Sequence, residues 1–201
     1  MNAAKIHLSA EELALVQNGA ILLTKNNIIQ KVYTLFGGLS DSLRSHYEHN
    51  KTRFPEILNT YPKIAKGENY LQLPYVLLDY PRCFDKENIF TIRTMFWWGN
   101  FFSITLHLSG KYKRTFETAI QKNIQSLAEH DFYICINEDE WQHHFKTDNY
   151  MPANKLTLGE INSITQRHFI KVAIKFPLEK WDTMPLLLEK SFLDLLQLIR
   201  N

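Results

Sequence analysis

This chain has only two cysteines, Cys83 and Cys135, and neither lies in a CxxC pair or a Cys/His ligand spacing. A disulfide framework or structural zinc site is therefore not expected, and a reducing compartment fits best. No run of about 18 uncharged apolar residues exists to span a bilayer. The N-terminal MNAAKIHLSAEEL reaches Glu11 and Glu12 before any apolar stretch long enough for a signal peptide. These absences lead us to expect a soluble cytoplasmic protein without a membrane partner. Charge of one sign is lacking as well: 23 Lys and Arg face 21 Asp and Glu, a net charge of +2. So mild a balance makes nucleic acid an unexpected partner.

No Pro/Gly/Ser-rich linker, internal repeat, low-complexity tract or heptad run divides the chain, so one domain is expected over residues 1–201. Catalytic and cofactor templates are also missing: there is no GxSxG, phosphate loop, dinucleotide fingerprint or HExxH. No cofactor is expected, and the residues name no reaction.

What the chain does contain is 45% hydrophobic and 13% aromatic residues, enough to bury one substantial core. The richest stretch is FTIRTMFWWGNFFSITLHLS, Phe90 to Ser109. Side chains alternate faces along a strand, so a one-residue slip turns every side chain over. A two-residue Gly99-Asn100 loop would mix Ser103 and His107 into the apolar face. A three-residue loop, Trp98-Gly99-Asn100, pairs even positions with even ones and is preferred, with Asn100 taking the left-handed conformation. This register places Arg93 opposite Thr105 and Thr91 opposite His107. The even face is apolar, whereas the odd face is mixed, cationic and aromatic.

Elsewhere, Ser9 and Glu12 form a capping-box pattern for a short helix that Asn18-Gly19 can stop. Apolar residues at helical spacing predict a long helix from Thr24 to about His49, with Gly37-Gly38 inviting a kink or a close helix crossing. Residues 50–72 read as an ordered loop, a candidate lid or strap. Tyr75 to Tyr80 reads as a strand, followed by a turn at PRCFDKEN. A helix is expected from about Tyr112 to Glu129, then a strand from Phe132 to Asn137. Residues 138–166 read as polar and irregular, and the alternation from Arg167 to Phe176 marks a last strand. Asp182 or Thr183 can cap a final helix with Pro185 in its first turn, apolar nearly all round from Leu186 to Ile199. The predicted fold class is α+β: N-terminal helices in 1–50, sheet strands within 73–137 and 167–177 with one intervening helix, and a C-terminal helix in 182–201. The sheet is expected to hold about five mostly antiparallel strands, with helices on its apolar face and its other face free.

That free face carries the leading candidate site. Arg93, His107 and Lys171, with Lys175 and Arg167 nearby, would converge beside Trp97, Tyr75, Phe101, Met95 and Thr105. Cations next to aromatic rings suit a small ligand with an anionic group and a flat part, Arg93 serving as anchor, His107 as polar contact and Trp97 as stacking wall. An enzymatic version adds His107 as acid or base. A structural alternative has the apolar C-terminal helix make a homodimer. Weaker patterns are present too. Asp139 with His143 and Glu140 with His144 share i, i+4 spacing if helical, but two or three ligands are not a site and no metal is expected. Cys83 with His107 and Asp79 could make a nucleophile, although an inert cysteine is the commoner case. Lys111 to Arg114 open a helix and could meet an anion, although a solvated surface is the plainer reading.

Overall fold

The computed structural model describes residues 6–50, 59–124 and 131–200, with the backbone alone for 46–50. Its strands are β1 (Lys63–Tyr70), β2 (Leu73–Phe84), β3 (Ile89–Trp97), β4 (Phe101–Ser109), β5 (Tyr133–Cys135), β6 (Tyr150–Pro152) and β7 (Phe169–Pro177). Its α-helices are α1 (Ala10–Gln17), α2 (Gly19–Asn50), α3 (Gly110–Asn123), α4 (Leu158–Thr165) and α5 (Met184–Gln197). The strands form one seven-stranded sheet in the order β1-β2-β3-β4-β7-β5-β6, antiparallel at every pairing. The α+β class therefore holds, and the strand number is corrected from about five to seven.

The extra strands lie where alternation is weakest. β1, KIAKGENY, is an edge strand with Lys63, Lys66 and Glu68 along it, charges that suit an edge exposed to water. It occupies residues read as a loop, and the start of that expected loop, 51–58, lies outside the described residues. β6 has three residues inside the segment read as irregular. The same segment contains α4, which Thr157 and Glu160 open with a reciprocal capping box.

The central hairpin pairs as the parity argument requires: Trp97 faces Phe101, Arg93 faces Thr105 and Thr91 faces His107. Its three-residue loop takes the left-handed conformation at Gly99 (φ 69°) rather than Asn100. Glycine adopts that region without a Cβ penalty, while Asn100 turns its amide to donate to the Trp98 carbonyl. β2 extends beyond the expected Tyr80, through a cis Tyr80-Pro81 bond, with a register shift between Asp79 and Arg82.

α2 runs unbroken through Gly37-Gly38. Among the described residues the close helix crossing expected there is absent, since a Cβ built on either glycine would meet no atom of them within 4 Å. α3 begins at Gly110, and the expected extension to Glu129 falls partly outside the described residues. Thr183 is the residue before α5, but its hydroxyl donates to the Lys180 carbonyl instead of capping the helix.

Even-numbered residues of β3, β4 and β7 face the main core with Val76, Leu78 and Tyr80 of β2. Val32, Phe36, Leu39 and Leu43 of α2, Phe116 and Ile120 of α3, and Leu188, Phe192 and Leu195 of α5 complete it. The apolar C-terminal helix is thus covered largely by its own chain, with Phe192 stacked on Tyr80. Among the described residues no helix is long and apolar enough to cross a membrane.

Candidate functional site

The odd-numbered face is not free, and this corrects the expectation. Residues 137–149, an irregular loop between β5 and β6, fold back over β3, β4 and β7. Sequence alternation cannot reveal such a cover because its attachments come from distant parts of the chain. Tyr70, at the end of β1, accepts hydrogen bonds from the backbone N–H groups of His143 and His144 at 2.7 and 3.0 Å. Burial pushes the Tyr70 hydroxyl above its usual pKa, so it remains a phenol there.

Arg93, His107 and Lys171 do point to this one face, and each has a partner. Arg93 makes a two-pronged bond to Asp79, Nε to Oδ1 at 2.7 Å and Nη2 to Oδ2 at 2.9 Å, and its Nη1 lies 3.3 Å from His143 Nε2. The guanidinium can only donate, so His143 must accept, which requires neutral imidazole. Burial and the nearby Lys171 and Arg93 charges hold the His143 pKa well below its ordinary value, consistent with that assignment.

His107 is 3% exposed, and its Nε2 lies 2.8 Å from Glu140 Oε2. Burial lowers its pKa despite the carboxylate, whereas the hydrogen bond to His107 holds the Glu140 pKa down. Neutral His107 donating to ionised Glu140 satisfies both directions. Lys171, 1% exposed, donates to the carbonyl oxygens of Glu140 (2.9 Å) and Gln142 (2.6 Å). Burial brings its pKa down to about 8.

The remaining candidates belong to the same layer. Thr105 hydrogen-bonds the hydroxyl of buried Tyr150. Trp97 packs edge-on to Tyr70 and Phe101, and Tyr75 meets Tyr70. A Cβ on Gly67 would come within 2.5 Å of the Tyr75 ring, so glycine is needed opposite it. Lys175 lies over the rings of Phe101, Tyr133 and Phe145, and Arg167 donates to the Ile136 carbonyl. Two buried side-chain atoms on this face, Thr91 Oγ1 and Trp97 Nε1, have no hydrogen-bond partner among the described residues.

The weaker patterns do not assemble. Residues 139–144 are not helical, and no group of three or more metal-ligating side chains occurs among the described residues. Cys83 packs against the core on the helix side of the sheet, opposite the His107 face, because the shift between Asp79 and Arg82 changes the parity of β2.

Beside the loop, where the β2–β3 turn, the β4–α3 junction and residues 166–168 meet, lies a cleft of about 670 Å³. Its charged and aromatic lining includes Lys86, Lys113, Arg114, Arg167 and His168 together with Asp85, Glu87, Glu140 and Trp141. Lys113 pairs with Glu117, but Lys86 and Arg114 carry no ion pair among the described residues. Trp141 is 48% exposed and stands edge-on to His107. The cleft wall depends on Gly110 (φ 57°), where a Cβ would come within 2.3 Å of the Glu87 carbonyl oxygen. Asn88 Oδ1 accepts from the Lys111 N–H at 2.7 Å, securing the start of α3 to the β2–β3 turn.

No family model, curated protein or solved structure matches this chain.

Proposed function

We propose that this protein binds a small anionic ligand with a flat apolar part, and that the ligand occupies the cleft beside residues 137–149. The observation that carries this reading is the meeting of two cations without ion pairs among the described residues, Lys86 and Arg114, with a half-exposed indole, Trp141, around about 670 Å³. That volume suits a small molecule, and the cations would neutralise a carboxylate or phosphate while the indole lies along the flat part. Arg93 and Lys171 then hold the loop from beneath, Trp97 and Tyr75 pack on Tyr70, which accepts two of its amides, and Thr105 bonds Tyr150 where the loop ends. His107 is linked to the cleft through Glu140 and is the group from which acid–base chemistry would start in an enzymatic version.

A second reading has residues 137–149 lift so that the ligand meets Arg93, His107 and Lys171 directly. Thr91 Oγ1 and Trp97 Nε1, buried on the same face and without a hydrogen-bond partner among the described residues, favour it. A thermal-shift panel of aromatic carboxylates and aryl phosphates tests the two together. The cleft reading expects a stabilising compound whose effect Lys86→Ala/Arg114→Ala removes without lowering the ligand-free melting temperature. Retention of the effect in that variant and its loss in Trp97→Phe or Thr91→Val would favour the second reading, and no stabilising compound would count against both.

A further inference from the structure

Residues 6–24 carry a large apolar surface that none of the other described residues covers. Leu13, Leu15 and Val16 of α1 and Ile21, Leu22 and Leu23 at the start of α2 each leave 46–70% of their surface in solvent. Summed over all sides of the two helical segments they expose on the order of 700 Å², against the roughly 800 Å² that each partner contributes to a standard interface, so a partner must wrap the arm to cover it. α1 has eight residues, and none of them is buried. An isolated helix shorter than about 12 residues is marginal in water, even with the Ser9–Glu12 capping box that opens α1. Burial of its apolar side chains is what would hold it.

The sequence of this arm narrows the occupant. From Ile6 to Thr24 the only charged residues are Glu11 and Glu12, both in the first turn of α1, where they suit the helix dipole. Helices that lie in a membrane surface carry Lys and Arg on their polar face, and this arm has none. Lys25, the first cation after it, is tied to Glu68 of β1. An anionic partner has no charge here to recognise, whereas a second copy presents the same bare apolar surface at the same concentration. Two-fold pairing of identical patches closes the assembly and covers both at once.

We propose that the protein is a homodimer in which the 6–24 arm of one copy packs against the same arm of the other. This interface differs from one through the C-terminal helix, whose apolar residues, Leu186 apart, are largely enclosed by the main core. Sedimentation equilibrium of the full chain at micromolar concentration is the test. Twice the 23.7 kDa chain mass is expected for the wild type. Leu15→Glu/Leu22→Glu should raise the dimer dissociation constant on the order of a hundredfold, and the milder Leu15→Gln/Leu22→Gln should raise it less, both with a loss of far-ultraviolet helical signal no larger than the arm itself accounts for. A wild type that sediments at 23.7 kDa, or a double Glu variant that dimerises like the wild type, would overturn the proposal.

Discussion

His107 on β4 and Glu140 in the loop above it meet at 2.8 Å, joining the middle of the sheet to the wall of the cleft. Around this pair, Lys171 grips two carbonyl oxygens of the loop and Tyr70 grips two of its amides. The polar face of the sheet therefore works first as a fastening for residues 137–149. Most of the fastenings run from sheet side chains to loop backbone, which fixes the path of the loop.

Acid should loosen this fastening before it titrates ordinary carboxylates. The folded-state pKa values of His107 and His143 are lowered, so below about pH 6.5 the unfolded chain takes up protons that the folded chain refuses, and stability falls as pH falls. Stability is expected to fall continuously from pH 6.5 toward pH 5, each such histidine contributing at most about 1.4 kcal/mol per pH unit. Urea unfolding across this range should show it, and His143→Gln, which keeps an acceptor for Arg93, should reduce it. An unchanged slope in that variant would contradict the neutral assignment of His143.

Lys171 should act in the alkaline range. Its folded pKa of about 8 lies below the unfolded value of 10.5, so above pH 8 the unfolded chain holds the proton the folded chain has released. Stability from this group therefore rises with pH. The window that isolates it is pH 8 to 9, because the raised pKa values of Cys135 above pH 9, and of Tyr70 and Tyr150 above pH 10, act in the opposite direction. Lys171→Met should abolish the rise in unfolding free energy over that interval.

Tyr70→Phe removes the acceptor shared by the His143 and His144 amides while keeping the ring that packs on Trp97. Hydrogen exchange at those two amides should accelerate by about tenfold or more, corresponding to roughly 1–2 kcal/mol per lost bond. Amides in the middle of β4 should keep their protection. Uniform acceleration across the sheet would mean that the loop is not a separate unit.

Three substitutions separate open from tight backbone sites. Gly37→Ala and Gly38→Ala each place a methyl in open space within a helix and should stabilise by about 0.5–1 kcal/mol. Gly110→Ala forces a Cβ against the Glu87 carbonyl at positive φ and should cost more than either gain. Chemical denaturation of the three variants decides this.

Thr91→Val replaces a buried hydroxyl that has no partner among the described residues with a methyl of similar shape. It should be neutral or stabilising by about 1 kcal/mol in ligand-free protein. Marked destabilisation would show that the hydroxyl is satisfied in solution.

The hairpin was legible because its information is local: alternation from Phe90 to Ser109 sets the faces, and the loop length sets the register. The assignment of Arg93, His107 and Lys171 to one face followed from the same parity. Their partners were not legible. Glu140 lies 33 residues from His107, His143 lies 50 from Arg93, and Tyr70 lies 73 from the His143 amide it accepts, so no local periodicity records these meetings. β1 escaped notice because an edge strand rich in charge loses the alternation that burial imposes. The cleft draws on Lys86, Arg114, Trp141 and His168 from separate turns and helix ends, and only the fold brings them together.

The most direct test of the cleft is native mass spectrometry of gently purified wild-type protein beside Lys86→Ala/Arg114→Ala, after addition of the best aryl phosphate or carboxylate from the thermal-shift panel. One small anion bound per chain is expected in the wild type, with loss of most of that occupancy in the variant. Equal occupancy of the two proteins, or bare polypeptide in both, would contradict it.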